Sequence, residues 1–172
     1  MRKSAIFILL AMLPLLVAGC LLATGTITFT HDIDEFTTSN GSMDKREIDL
    51  TTDSDFNDNK DKIQSVDQVS VVGWFYNGEQ VDNFAELYIS ENGTYTEPDS
   101  VREYATRVYT SPVIPGNDSV FVDWADAIPL IENLSYLKDE VYDGHFWIYG
   151  LAQNSPFWFR CKLTLIITLT VG

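Results

Sequence analysis

From residue 24 onward, apolar and polar positions alternate with a period of two, the spacing that sends successive side chains to opposite faces of a β-strand. Thr24, Thr26, Thr28 and Thr30 interleave with Ile27 and Phe29. Ile48 and Leu50 interleave with Asp49 and Thr51, and Ala85, Leu87 and Ile89 with Glu86, Tyr88 and Ser90. Residues 69–76 are nearly all apolar and predict a strand buried on both faces. Residues 104–110 and 120–124 predict two more. The longest alternation comes last. Phe159, Cys161, Leu163, Leu165, Ile167, Leu169 and Val171 share one face, and Arg160, Lys162, Thr164, Thr168 and Thr170 share the other, with Ile166 the exception.

Turn formers separate these runs: Asn40-Gly41, Asn77-Gly78, Asn92-Gly93, the stretch from Pro115 to Asp118, and Asn154-Ser155-Pro156. The last of these predicts a hairpin joining residues 146–152 to 157–171. Two segments carry helical signals. Residues 55–66 are polar around Phe56, Ile63 and Val66. In residues 128–141, Leu130, Leu134, Leu137 and Val141 recur at helical spacing, with Pro129 suited to a first turn, Asp126 placed to cap it and Gly144 placed to follow its end. Many short strands without intervening helices predict an antiparallel sheet, because parallel pairs need long crossovers. The expected fold is therefore all-β: a single antiparallel β-sandwich over residues 24–172, immunoglobulin-like or jelly-roll-like, with one or two short helices. The Cys–Trp–Cys pattern of true immunoglobulin domains is absent.

The first twenty residues follow a different pattern. Arg2 and Lys3 precede an apolar run of residues 5–18, too short to span a bilayer as a helix and interrupted by Pro14. The run ends in Leu16, Val17, Ala18, Gly19 and Cys20. This segment resembles the lipobox of bacterial lipoprotein precursors, and it matches at each usual position. The resemblance implies that residues 1–19 are a removable signal, that the Cys20 thiol carries a diacylglyceryl group, and that residues 20–23 tether the domain to a membrane. Two or three acyl chains hold firmly where one binds only marginally. Leu21 stands where the aspartate that retains such proteins in an inner membrane would stand. In a cell with two membranes the resemblance therefore favours the outer one.

Composition narrows the partners. The 172-residue chain has a formal net charge of −14, and loss of Arg2 and Lys3 makes the exported part more acidic still. Such a surface is repelled by nucleic acid and by anionic lipid headgroups, so nucleic-acid binding is set aside. With Cys20 acylated, only Cys161 remains, and a lone cysteine forms no intramolecular disulfide. The core must hold the fold by itself.

Candidate chemistry is sparse. Asp53, Asp55, Asn57, Asn59 and Asp61 place oxygen ligands at alternate residues, as a calcium loop does, but Asp58 and Gln64 occupy the places of the glycine and the bidentate glutamate of an EF-hand. The bland alternative is an acidic loop that caps a short helix. His31 and His145 lie far apart without nearby partners for zinc. Cys161 falls on the inward face of the last strand, where a thiol is inert. Carboxylate pairs such as Asp32 with Asp34 and Glu35, or Asp139 with Glu140, arise by chance in so acidic a chain. Asn-x-Ser/Thr triplets at Asn40, Asn92, Asn117 and Asn133 mark polar turns. Trp74, Trp124 and Trp147 are expected to fill the core, whereas Trp158 falls opposite the inward set. An outward tryptophan can stack on a sugar ring or anchor a protein. The expected role is a non-catalytic binding or assembly module of the cell envelope with no cofactor. Its partner is another envelope protein or, alternatively, a glycan held by exposed aromatics such as Trp158.

Overall fold

The computed structural model describes residues 24–38, 43–152 and 158–172. Eight strands form two four-stranded antiparallel sheets. They are β1 (Gly25–Thr38), β2 (Met43–Asp49), β3 (Ile63–Asn77), β4 (Ala85–Ser90), β5 (Thr106–Thr110), β6 (Ser119–Val122), β7 (His145–Ala152) and β8 (Phe159–Val171). The first sheet has the order β1-β8-β3-β6 and the second β2-β7-β4-β5. All described pairs are antiparallel. The chain changes sheet at nearly every connection, which makes a double-sheet jelly roll, one of the two architectures left open by the alternation.

β7 and β8 do not form a hairpin. They lie in different sheets; residues 153–157, with the Asn154-Ser155-Pro156 turn, lie outside the described residues, as does Asn40-Gly41. The turn formers there do not say which partner each strand chooses.

The core lies between the sheets. The inward row of β8 is fully buried from Phe159 to Leu169, at every second residue. It meets Phe29, Ile33 and Phe36 of β1, Val69, Val71 and Phe75 of β3, and Leu87, Ile89, Phe146 and Ile148 from the second sheet. Phe75 and Tyr109 stack across the two sheets with parallel rings 5.8 Å apart. Gly73, with φ +144°, lets β3 run close beside β8: a Cβ there would lie 2.1 Å from the Lys162 carbonyl oxygen.

The helical elements are shorter than expected. Residues 55–66 divide into α1 (Ser54–Asn57) and a 3₁₀ turn (Lys60–Lys62), and Ile63 and Val66 already belong to β3. α2 (Pro98–Tyr104) carries no strong sequence signal beyond the proline at its start. Asp123 caps α3 (Trp124–Ala127), accepting from the Ala125 and Asp126 amides, so Trp124 leaves the predicted strand. Pro129 falls in a 3₁₀ turn, and the main helix, α4 (Leu134–Asp143), begins later and ends at left-handed Gly144 as expected.

The outer face of the second sheet is roofed by the β4–β5 connection. Tyr88, Val101, Tyr149 and Leu151 make a second small core, with Tyr95 and Trp147 packed against it. The roof is fastened electrostatically. Buried Glu86 receives Arg107 at 3.0 Å and has Arg102 at 3.7 Å, and Arg107 also pairs with Glu132 at 2.9 Å. Among the described residues the first sheet carries no such roof.

Truncating one of the stacked core rings leaves a cavity that a two-sided core cannot close. Phe75→Ala is expected to cost about 3–5 kcal/mol of unfolding free energy, measured by urea denaturation. A loss below about 1 kcal/mol would show that the sheets are not held by this packing.

Candidate functional site

The unroofed outer face of the first sheet has two unlike halves. In one half the side chains of β1 and β8 are threonines and an aspartate that bond to each other. Thr28 and Thr168 hydroxyls lie 3.0 Å apart, and Thr164 donates to Asp32 at 2.7 Å. This is the pole where β1 begins, opposite the end of β8. In the other half the strands carry aromatic residues. Trp74 pairs with Phe121 of β6, and Tyr76 pairs with Ser119 of β6 and Arg160 of β8. The Trp74 ring lies 5.1 Å from Phe121 and 6.0 Å from Tyr76, the latter pair inclined by only 25°. The Arg160 guanidinium sits over Tyr76 at 4.5 Å, and its Nε is 3.8 Å from a Glu35 carboxylate oxygen.

Trp158 completes this half. It precedes inward Phe159 by one residue and so faces out, and its carbonyl accepts the Gly78 amide at 3.0 Å. The missing side chain of Gly78 is the seat of its ring: a Cβ there would fall 1.2 Å from Trp158 Cε3. The indole is thereby laid against the backbone of β3's end, with its remaining surface, 40% of the residue, open to solvent. Beside it lies an open hollow of about 350 Å³ lined by Tyr76, Gly78, Trp158, Arg160 and the Asn117–Ser119 turn. Asn117 holds left-handed φ 54°, which asparagine tolerates better than most residues. The Asp118 carboxylate accepts the Ser119 amide at 2.7 Å. Asn77, buried at the rim, is committed to structure: it donates to the Val81 and Ile114 carbonyls and accepts from the Glu79 amide.

No family model matches the chain, and no curated protein matches it in sequence. Solved structures do resemble it in shape. It is similar to a structure of turnip yellow mosaic virus (10% identity, TM-score 0.40, covering 87% of this chain and 80% of that one). It is also similar to one of Desmodium yellow mottle tymovirus (10%, 0.37, 87% of both) and one of Cocksfoot mottle virus (10%, 0.36, 84% and 94%). At these values the likeness adds nothing to the strand order already described.

Three of the four tryptophans are exposed or nearly so. Trp74 and Trp124 were expected in the core, yet they are 41% and 44% exposed. For Trp74 the reason is the bare outer face: β3 is buried on one side only in its second half. For Trp124 it is the helix start. Trp147 is half-buried, with Gly93 against its ring and the Lys45 ammonium 5.1 Å above it.

The acidic segment coils instead of forming an open loop. Asp53 accepts the Asp55 amide at 2.9 Å as the cap of α1, and Asn59 donates back to the Asp55 carbonyl. In a helical turn, side chains two residues apart point in opposing directions, so Asp55 and Asn57 do not converge. Asp61 lies exposed in the next turn. Among the described residues no three His, Cys, Asp or Glu side chains gather as a metal set. Cys161 is fully buried, and burial pushes its thiol pKa well up. His145 opens β7, with Nε2 2.7 Å from Glu47, and His31 lies within β1. Asp139 is exposed while Glu140 turns inward. Cys20 lies outside the described residues.

The seat of Trp158 makes a specific variant informative. Gly78→Ala must displace the indole, so its emission is expected to shift to the red and its quenching by acrylamide to rise, with the urea midpoint changed only slightly. An unchanged spectrum would place the ring elsewhere. Glu140 gives a second test. Burial raises its pKa, opposed by a hydrogen bond from Tyr136, and Glu91, Asp143 and Asp139 push it further up. Its Oε2 is buried with no partner among the described residues. A carboxyl raised on folding favours the native state below its unfolded pKa and loses that contribution as pH rises through the folded value. Glu140→Gln is therefore expected to raise Tm at pH 7 and to change it little at pH 4. The reverse pH order would rule out a buried charge.

Proposed function

We propose that the chain is a membrane-anchored, non-catalytic binding protein of the cell envelope, acylated at Cys20 and receiving its ligand on the aromatic half of the first sheet. The observation that carries this reading is the exposed group of Trp74, Phe121 and Trp158 around Tyr76, on an outer sheet face that the described residues do not roof. Large apolar rings are costly to leave in water, and contiguous exposed ones mark binding surfaces.

The anchor and the face fit together in space. Cys20 precedes Gly25 by five residues, which reach at most about 18 Å even when extended. The pole where β1 begins would therefore stand near the bilayer. The aromatic half lies toward the other end of a 14-residue strand, roughly 40 Å away at ~3.3 Å per residue. A ligand would be met well outside the headgroups, on the outer membrane where the cell has two. This reading needs no cofactor; the acidic turn at Asp53 acts in it as a helix cap, and calcium at Asp53, Asp55, Asn57, Asn59 and Asp61 is not required.

Membrane fractionation with mass spectrometry of the native N-terminus tests the anchor. The wild-type chain is expected in the membrane fraction, starting at an acylated Cys20. Cys20→Ser is expected to lose the acyl mass and the cleavage that depends on it. A wild-type chain still beginning at Met1, or an unmodified Cys20, would overturn the reading.

A further inference from the structure

Resting on that reading of the aromatic face, we infer that the hollow beside Trp158 is a binding site for a neutral oligosaccharide. A pyranose has an apolar face of C–H groups and a rim of hydroxyls that both donate and accept. The hollow offers the counterpart of each. Its floor is an indole whose tilt is fixed by the Gly78 seat, so one ring face is presented without side-chain reordering on binding. Its rim holds Arg160 as donor, Asp118 as acceptor, and Asn117 and Ser119 as both.

Size suits a small ligand. Trp74, Phe121 and Trp158 are 41%, 50% and 40% exposed, which at about 150–250 Å² per aromatic side chain leaves roughly 200–330 Å² of open aromatic surface. That is enough for a few sugar rings, and a hollow of about 350 Å³ is within the range of small-ligand sites. Charge decides against an acidic ligand. The cation that lines the hollow among the described residues, Arg160, is shared with Glu35 and accompanied by Asp118, on a chain of net charge −14. Length is suggested by position: Tyr76 and Trp74 follow Gly78 at two-residue steps along β3, about 7 Å each, so rings continue from the Trp158 floor toward Phe121. A linear chain of several units fits this row better than a monosaccharide.

The test uses the full acylated chain in detergent, on an array of neutral gluco-, manno- and chito-oligosaccharides of one to six units and of uronic acid oligomers. Tryptophan fluorescence titrations follow each hit. Saturable binding to a neutral series, tightening with chain length, is expected. Trp158→Ala should weaken it at least tenfold, Gly78→Ala should weaken it by displacing the ring, and Trp158→Phe should retain part of it. Trp124→Ala, away from the hollow, should leave it unchanged, and urea midpoints confirm that each variant is folded. A blank neutral array, binding confined to uronic oligomers, or binding indifferent to Trp158→Ala would each overturn the inference. If the array is blank while chemical cross-linking captures an envelope protein in a Trp158-dependent way, the sugar assignment falls and the anchored binding role stands.

Discussion

Burial of the inward row of β8 is the constraint on which the rest of the structure depends. Six side chains from Phe159 to Leu169 lie on one face of one strand, and each methylene kept from water contributes about 0.8 kcal/mol. The strand that carries this row is central in its sheet. It lies between β1 and β3, pairing with both over nearly its whole length, and the second sheet closes over its apolar side. Once β8 is central, its other face is necessarily the outside of the sandwich. The residues that alternate with the core, Arg160 and Lys162 toward one end and the threonines toward the other, become the surface on which the candidate site is built.

The two outer faces are treated differently by the chain. On the second sheet, outward residues such as Tyr88, Tyr149 and Leu151 are too apolar for water, and the β4–β5 connection folds back to cover them, held by Glu86 and its arginines. On the first sheet the threonine half needs no cover, because its hydroxyls satisfy one another and water. The aromatic half also carries large rings, yet Trp74, Phe121 and Trp158 lie open. That asymmetry within one molecule is what the proposed binding role rests on.

How much of this could be read from the residues depends on the range of the interaction. The alternation from Phe159 to Val171 gave both the strand and its inward face, including inert Cys161 and outward Trp158, because period two is a local property. Gly144 at the end of α4 was likewise legible, since a left-handed terminus favours glycine. The second strand of a pair was not. The Asn154-Ser155-Pro156 turn looks the same whether it closes a hairpin or crosses between sheets, and the choice is made by burial elsewhere. Trp74 was placed in the core because its neighbours are apolar, and nothing local says that no roof will cover it. The seat of Trp158 at Gly78 is a contact between residues eighty apart, and its sequence trace is only a glycine that reads as a turn. The segment from Asp53 to Asp61 carried two readings: its spacing suits an extended calcium loop, and its aspartates suit helix caps, which is the role Asp53 takes.

The placing of β8 also shapes how the molecule comes together in time. Thr28 and Thr168 touch although 140 residues separate them, so β1 lacks its partner in the first sheet until β8 exists. Long-range pairing of this kind makes assembly slow, because loop closure costs entropy before any contact repays it. Until β8 arrives, β1 and β3 present unpaired backbone and the apolar halves of a core with its middle missing. The first sheet is thus complete only when β8 lies between β1 and β3, so its closure waits on the strand made after both of them.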